Sequence, residues 1–187
     1  MLTLNFSPFP TLTTERLILR QMDTTDIPLL YEMRSNPVVM QYIGRPIAKS
    51  IEDAEILYNT INDGLLKNES INWTVQYKDN KAMLGNFCYW RIDTHNHRAE
   101  VGYSLLQQHF GKKIGTEALN AVIHYGFNQL NLHSIEANTD PNNIASQKIL
   151  ESQGFENEAN FKENFYFNGQ FLDSKIYSLL QKNWKHK

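Results

Sequence analysis

Residues 100–130 decide the fold of this chain, and they read E-V-G-Y-S-L-L-Q-Q-H-F-G-K-K-I-G-T-E-A-L-N-A-V-I-H-Y-G-F-N-Q-L. Residues 101–106 form a short run of β-formers, which predicts a largely buried strand. A polar loop with two glycines and two lysines follows at 107–115. Residues 116–130 are predicted to form a helix, because their apolar positions recur at helical spacing: Leu119, Val122, Ile123, Phe127 and Leu130.

The loop of this strand-loop-helix junction predicts an anion site. The first amides of a helix lack partners within the helix and stand at the positive end of its dipole. Lys112 and Lys113 add two positive charges, and the loop contains no acid. Because many such junctions bind nothing, a plain structural turn remains an equal alternative. The loop lacks both the triphosphatase and the three-glycine dinucleotide patterns, which favours a diphosphate.

Composition bounds the class of protein. The 187 residues suit one domain, and 41% hydrophobic and 20% charged residues are ordinary for a packed chain. A net charge of -2 gives no support to a nucleic-acid surface. Cys88 is the only cysteine, which excludes an intramolecular disulfide, and its strand-like surroundings favour a buried thiol over a nucleophile. Neither a signal peptide nor a membrane span is predicted, so we expect a cytoplasmic protein without a membrane partner.

The rest of the chain predicts one α/β domain in which strands and helices alternate. The predicted strands are 16–20, 72–77, 83–92, 99–106 and 134–139, with a terminal hairpin of 155–167 and 170–180. The predicted helices are 27–35, a helix that ends near Leu66, and 144–153. Local cues support these boundaries: Thr25 as a helix cap, a capping box over Ser50 and Asp53, Gly154 as a helix end, and the turn Asn168-Gly169. Residues 38–43 form a short apolar piece, and 1–12 an extended arm.

Several motifs together resemble the GNAT acetyltransferase superfamily. They are E-V-G-Y-S-L-L, F-G-K-K-I-G-T-E-A-L and H-S-I-E-A-N-T-D-P-N-N-I-A-S-Q-K-I-L-E-S-Q-G-F. The opening T-L-T-T-E-R-L-I-L-R and the closing N-G-Q-F-L-D-S-K-I-Y-S-L-L resemble its ribosomal-protein branch, the RimJ/RimL type. The resemblance covers about residues 11–180 and implies a single domain over 1–187. It implies a mixed, mostly antiparallel, twisted sheet that splays at an acetyl-CoA site and is flanked by helices.

The resemblance also implies which residues bind acetyl-CoA. Free backbone groups of Leu105 and Leu106 would pair with the pantetheine, and the amides from Gly111 to Thr116 would hold the pyrophosphate. The full predicted set is Leu105, Leu106, Phe110, Gly111, Lys112, Lys113, Ile114, Gly115, Thr116, Asn143 and Ser146. Lys113 stands where the family loop has a glycine, so its Cβ is expected to narrow the approach of the phosphate. Asn143 is expected to bond the pantetheine, with a simple helix cap as the alternative.

The implied chemistry assigns catalytic roles to two residues. Glu100 is expected to accept the amine proton through water, the alternative being a solvent-facing carboxylate at a strand end. Ser146 is expected near the thiol, where it or a water delivers a proton, because Leu150 occupies the place of the tyrosine acid found in many relatives. An amide near Leu105 would stabilise the oxyanion. Trp90 and Tyr103 are candidates for the acceptor site, as is Tyr89, although strand aromatics often belong to the core.

The predicted function is acetyl transfer to a primary amine, foremost the N-terminal α-amine of a protein. A small amine (a polyamine, an amino acid or an aminoglycoside) is the alternative acceptor, and a non-catalytic CoA-binding module is the alternative class. Residues 31–70 are expected to wall the acceptor site. No metal site is expected, because His95, His97 and His133 have no Cys or Asp cluster around them. The chain could act alone or as a homodimer.

Overall fold

A twisted eight-stranded sheet forms the centre of the computed structural model, which describes residues 1–185. The strands are β1 (Leu12–Thr13), β2 (Leu17–Gln21), β3 (Ile71–Tyr77), β4 (Asn80–Asp93), β5 (Arg98–Leu105), β6 (Ser134–Thr139), β7 (Glu156–Phe167) and β8 (Gln170–Leu180). Their order across the sheet is β1-β2-β3-β4-β5-β6-β8-β7. The helices are α1 (Ile27–Ser35), α2 (Pro37–Met40), α3 (Ile51–Leu66), α4 (Ile114–Asn128) and α5 (Ile144–Ser152).

The sheet is mixed and mostly antiparallel, as predicted. Among the described strands only β5 and β6 pair in parallel, and α4 connects them. A parallel pair needs such a crossover, because the chain must return to the starting edge before the next strand begins. The meander β3-β4-β5 and the hairpin β7-β8 supply the antiparallel pairs. The predicted α/β class, with a mixed sheet flanked by helices, is therefore confirmed.

The helices cover the two faces of the sheet. On one face α4 and α5 pack against the alternate strand residues that include Phe87 and Tyr89, and the Tyr89 hydroxyl donates to the Val122 carbonyl at 2.9 Å. On the other face α1, α2 and α3 form a smaller apolar cluster that includes Leu30, Met33 and Leu106.

Local cues in the sequence located several boundaries correctly. The capping box at the start of α3 is present, with the Asp53 carboxylate accepting from the Ser50 amide at 3.3 Å. Asn168 and Gly169 both have positive φ, as a two-residue hairpin turn requires. Gly154 ends α5 with a φ of 90°.

Two local predictions were wrong, and one segment without a predicted structure is partly helical. Asp23, not Thr25, caps the turn before α1, since the Thr25 amide donates to the Asp23 carboxylate at 2.8 Å. The apolar piece at 38–43, to which no secondary structure was assigned, overlaps the helix α2 (Pro37–Met40), which Asn36 caps. Helix α4 begins at Ile114, two residues before the predicted start, because Lys113 turns the chain. Within the described residues, no helix combines the length and apolar character needed to cross a membrane.

Candidate active site

The central feature of the site is a gap between β5 and β6. The two strands pair at only three positions, Arg98 with Ser134, Ala99 with Ile135 and Glu100 with Glu136. Beyond Glu100 the strands separate, while β5 stays paired with β4 as far as Leu105 and β6 pairs with β8 as far as Thr139. One edge of β5 is therefore unpaired at 101–105, where an extended ligand could add to the sheet.

The backbone hydrogen bonds of β5 alternate between its two edges, so Leu105 and Leu106 differ in which edge their backbone groups face. The Leu106 amide donates to the Leu84 carbonyl at 2.9 Å, and the Leu106 carbonyl accepts from His109 at 2.9 Å. Both backbone groups of Leu106 are therefore already hydrogen-bonded within the protein and its side chain is buried, which gives its predicted role toward the pantetheine no support. Successive residues of a strand point their backbone groups to opposite edges. Leu105 and Tyr103 hence direct theirs into the gap, and the role of Leu105 stays a prediction.

Open amides follow β5 at the start of α4. Within residues 1–185, the six consecutive N–H groups from Gly111 to Thr116 have no hydrogen-bond partner, and no side chain caps the helix. Arg16 steadies this loop by donating to the Lys112 carbonyl at 3.3 Å. Glu117, an acid in the first helical turn, is held by Arg16 at 2.7 Å and by Thr14 at 2.5 Å. The loop thus presents unpaired donors with the charge of Glu117 offset, which suits an anion.

Lys113 adopts a left-handed backbone conformation, with φ 60° and ψ 10°. This conformation costs a residue with a Cβ roughly 1–2 kcal/mol, which explains why a glycine fits the position. Gly111, in the same loop, has a φ of 73° and open space where a Cβ would stand. The loop therefore holds two left-handed positions, of which only one carries a glycine.

Lys113→Gly is expected to stabilise the protein and to preserve or lower the KM for acetyl-CoA. Relief of the left-handed strain, roughly 1–2 kcal/mol, is offset by the extra chain entropy of glycine, roughly 0.5–1 kcal/mol, so the net gain is up to about 1.5 kcal/mol. Thermal melting and initial rates measure the two effects. Gly111→Ala is the matched opposite change and should cost about 1–2 kcal/mol through φ alone. A large rise in KM for Lys113→Gly would instead show that the ammonium itself holds phosphate.

Helix α5 brings Asn143 and Ser146 to the gap from the other side. The Asn143 side chain accepts from the Ser146 amide at 3.1 Å, so its role as a helix cap is real, and its role toward pantetheine stays a prediction. The Ser146 hydroxyl lies 2.8 Å from the Tyr103 hydroxyl on β5. Leu150, at the place of the usual tyrosine acid, is fully buried in the core. Tyr103 therefore supplies a phenol beside Ser146 from a different element.

Burial raises the pKa of the Tyr103 phenol to about 12, and its hydrogen bond to Ser146 lowers this pKa by a smaller amount. The phenol is therefore protonated near neutral pH and can donate to the Ser146 oxygen. Its ring stacks on Phe87 at a centroid distance of 5.1 Å, which fixes its direction toward α5. The sequence predicts Tyr103 only as an aromatic residue of the acceptor site. Its contact with Ser146 could not be predicted, because the two residues are 43 positions apart in the chain.

Glu100 stands at the point where β5 and β6 separate. It is only 7% exposed, so the alternative of a solvent-facing carboxylate was wrong. An irregular register between Trp90 and Asp93 forms a bulge in β4, and Arg91 within it has a φ of 48°. Bulges re-aim side chains, and Arg91 reaches the Glu100 carboxylate at 3.2 Å while stacking on Trp90. Burial raises the pKa of Glu100, while the nearby Arg91 guanidinium opposes the rise.

A cleft of about 880 Å³ joins Glu100 to the face covered by α1 and α3. Trp90, Tyr103, Asn143 and Ser146 all line it, as do residues 42–43 and 45–49 of the loop before α3. Tyr89 belongs to the core instead and is fully buried. Cys88 lies on its strand as predicted but is only half-buried and lines the cleft. Burial raises the pKa of its thiol to about 11, so the nucleophilic thiolate form is scarce near neutral pH.

The cleft also contains residues for which no individual role is predicted from the sequence, although Arg34 and Arg45 fall within 31–70, the range expected to wall it. Arg34 on α1, Arg45 in the loop and Asn86 on β4 line it, and Arg91 pairs with the predicted base. The sequence carries no local signal for them, since each acts across elements distant in the chain. Among residues 1–185, no cluster of three His, Cys, Asp or Glu side chains could hold a metal ion.

Comparison with known proteins identifies this arrangement. A family model described as "Acetyltransferase (GNAT) domain" matches residues 16–156. The N-acetyltransferase p20 of Bacillus licheniformis, itself uncharacterized, is 34% identical over 174 residues, 93% of this chain and 98% of that protein. The [ribosomal protein uS5]-alanine N-acetyltransferase of Escherichia coli is 35% identical over 88 residues, 47% of this chain and 45% of that protein.

A solved structure agrees with these relatives. The spermidine N-acetyltransferase of Vibrio cholerae, crystallised with CoA and spermine, superposes with a TM-score of 0.81 at 25% identity, covering 91% of this chain and 98% of that one. The fold and the matched domain define an enzyme that transfers acetyl groups to nitrogen. The chain belongs to the GNAT acetyltransferase family, and its relatives include ribosomal-protein N-acetyltransferases.

Proposed function

We propose that this enzyme transfers the acetyl group of acetyl-CoA to the N-terminal α-amine of a protein, in the manner of a ribosomal-protein acetyltransferase. The observation that carries the proposal is a buried carboxylate, Glu100, at the point where β5 and β6 part, with the Ser146–Tyr103 hydroxyl pair across the same gap. A base and an acid on two sides of an opening in the sheet suit transfer between two ligands that enter from opposite faces.

The residues present fit acetyl-CoA. Six unpaired amides at the start of α4 suit the pyrophosphate, and the free edge of β5 suits the pantetheine arm. Lys112 and Lys113 would add charge at the same loop. Bound there, acetyl-CoA supplies an activated acetyl thioester at the gap.

Glu100 accepts the proton that the acceptor amine must lose. An α-amine has a pKa of about 8 and is mostly protonated at neutral pH, so it must lose a proton to become a nucleophile. The carboxylate of Glu100 accepts this proton through a water, and its burial makes it more basic than an exposed glutamate. Arg91 keeps part of the carboxylate ionised in the buried site, which preserves the acceptor form.

Ser146 supplies the proton that the leaving thiolate takes up. As the amine nitrogen bonds to the acetyl carbon, the carbon–sulfur bond breaks and the thiolate takes the Ser146 hydroxyl proton. The Tyr103 hydroxyl, 2.8 Å from that of Ser146, can pass its proton to the Ser146 oxygen, and solvent in the cleft then restores the proton of the phenol. The Leu105 amide, which points into the gap, stabilises the negative charge on the carbonyl oxygen.

Acetyl-CoA is expected to raise the melting temperature of the protein, because a ligand that binds only the folded state stabilises it by mass action. At 100 times Kd the gain is about 2.7 kcal/mol. A screen of peptides and small amines by thiol release from acetyl-CoA then tests transfer. The proposal fails if acetyl-CoA gives no thermal shift at millimolar concentration, or if no peptide is acetylated.

A polyamine is the second candidate for the acceptor. It is supported by the spermidine N-acetyltransferase of Vibrio cholerae, whose fold matches over nearly the whole of both chains. Spermidine therefore belongs in the same screen as the peptides.

A further inference from the structure

The acceptor cleft contains a guanidinium without a counter-charge. Arg34 extends from the last turn of α1 and lines the cleft. Its Nη1 contacts the sulfur of Met40 at 3.7 Å, and its Nε is buried without a hydrogen-bond partner. Within residues 1–185, no carboxylate lies within ion-pair distance of it. Arg34 is half-buried as a residue, and a polar group enclosed without a partner is costly, so a ligand that brings a negative group to Arg34 is favoured.

The two acids that line the cleft do not compensate Arg34. The Asp53 carboxylate accepts from the Lys49 and Ser50 amides at the start of α3, at 2.7 and 3.3 Å. Glu100 is paired with Arg91. Two further cationic residues, Arg45 and Lys49, are exposed at the rim of the same cleft. The uncompensated charge inside the cleft is therefore positive.

Arg34 and the proposed base Glu100 line the same cleft. Arg34 is near enough to Cys88 for each side chain to influence the pKa of the other, burial being the larger influence on both. Cys88 is one two-residue step along β4 from Trp90, the cross-strand partner of Glu100, which is roughly 7 Å. An acceptor with its amine at Glu100 would thus meet Arg34 within a few bonds.

Asn86, which lines the same cleft, carries a second unpaired polar group. Its Oδ1 is buried without a partner, while its Nδ2 donates to Asn72 at 3.2 Å. Asn86 is one further two-residue step along β4 beyond Cys88. A free carbonyl oxygen needs a donor, and a peptide N–H further along a polypeptide acceptor can supply one, whereas a free amino acid has no such group.

We propose that the acceptor carries a carboxylate a few bonds from its primary amine, and that Arg34 binds this carboxylate. This inference rests on the proposed acetyltransferase function and narrows its substrate class. The source that the cleft favours is a protein N-terminus with an acidic side chain in its first two residues, and a free acidic amino acid shares the chemistry. A polyamine does not fit, because each added ammonium would be repelled by Arg34.

The test compares acceptors that differ only in charge. Wild type and Arg34→Gln are assayed with peptides that begin Ser-Glu, Ser-Gln and Ser-Lys, with free glutamate and glutamine, and with spermidine. Loss of a charge-assisted hydrogen bond in a buried site should raise the KM for the acidic peptide roughly 10- to 100-fold. The KM for the Ser-Gln peptide should change little. The free amino acids distinguish the two sources of the carboxylate.

Three controls separate recognition from structure. Arg34→Lys keeps the positive charge and should recover part of the preference for the acidic peptide. Lys78→Gln removes an exposed lysine from the β3-β4 turn and should leave the preference for the acidic peptide unchanged. The melting temperature of Arg34→Gln should stay the same or rise, since an unpaired buried charge is removed. A fall in melting temperature with equal loss for all acceptors would overturn the inference in favour of a structural role.

Equilibrium binding supplies a readout that does not depend on turnover. In the presence of CoA, wild type should bind the Ser-Glu peptide more tightly than the Ser-Gln peptide, and Arg34→Gln should bind both alike. Equal binding by wild type, or tighter binding of spermidine, would overturn the inference. Absence of transfer to every acceptor despite this binding preference would overturn the proposed function alone.

Discussion

Replacing Glu100 with glutamine is expected to lower turnover about 10²- to 10⁴-fold near pH 7, the usual cost of removing a general base. The loss should shrink as the pH rises past the amine pKa of about 8, because the amine then loses its proton to solvent unaided. Acetyl-CoA binding should change little, since Glu100 is near the start of β5 and the amides at the start of α4 follow the other end of this strand. Rates over a pH series and a thermal shift with acetyl-CoA measure the two effects.

The environment of Glu100 determines the direction in which the activity of the wild-type enzyme changes with pH. Burial raises its pKa, so the carboxylate is lost at a higher pH than for an exposed glutamate, and activity should fall as pH drops through that raised pKa. Glu69→Gln, at an exposed site in the turn after α3, is the matched control and should keep the wild-type profile. A loss that is the same at every pH would assign Glu100 to substrate positioning, and full activity throughout would remove it from the mechanism.

Ser146→Ala is expected to lower kcat about 10²-fold, at the low end of the range for a general acid. The effect is moderate because a thiolate, with a thiol pKa of about 8.5, leaves with little assistance. Tyr103→Phe keeps the ring that stacks on Phe87 and removes only the hydroxyl, so its loss should be smaller. Because the pKa of Tyr103 is about 12, this loss should not vary with pH near neutrality, unlike that of Glu100→Gln.

The double variant shows whether the two hydroxyls act together. Residues that act as one unit have non-additive effects, so the Ser146→Ala and Tyr103→Phe losses should combine to less than their product. Tyr166→Phe, at an exposed tyrosine of β7, is the control for removal of a phenol and should be silent. Wild-type kcat in Ser146→Ala would leave water as the proton donor and reduce Tyr103 to a packing role.

Cues within a few residues of each other determined most of the architecture. The strand-loop-helix pattern at 100–130, the capping box at Ser50 and the Asn168-Gly169 turn each depend on neighbours in the chain, and the structure contains all three. The errors were also local: the competition between Asp23 and Thr25 for one cap, and the start of α4, which moved because Lys113 accepts a left-handed conformation that the sequence did not reveal.

The site itself depended on tertiary structure. Which edge of β5 is free follows from its pairing with β4 and from the separation of β6 beyond Glu100, so Leu105 faces the gap while Leu106 does not. The contact between Tyr103 and Ser146 joins a strand to a helix, and Arg34 reaches the cleft from a helix on the opposite face. Such contacts depend on packing between distant elements, so the sequence alone indicated the residue types of the chemistry but not the partner of each group.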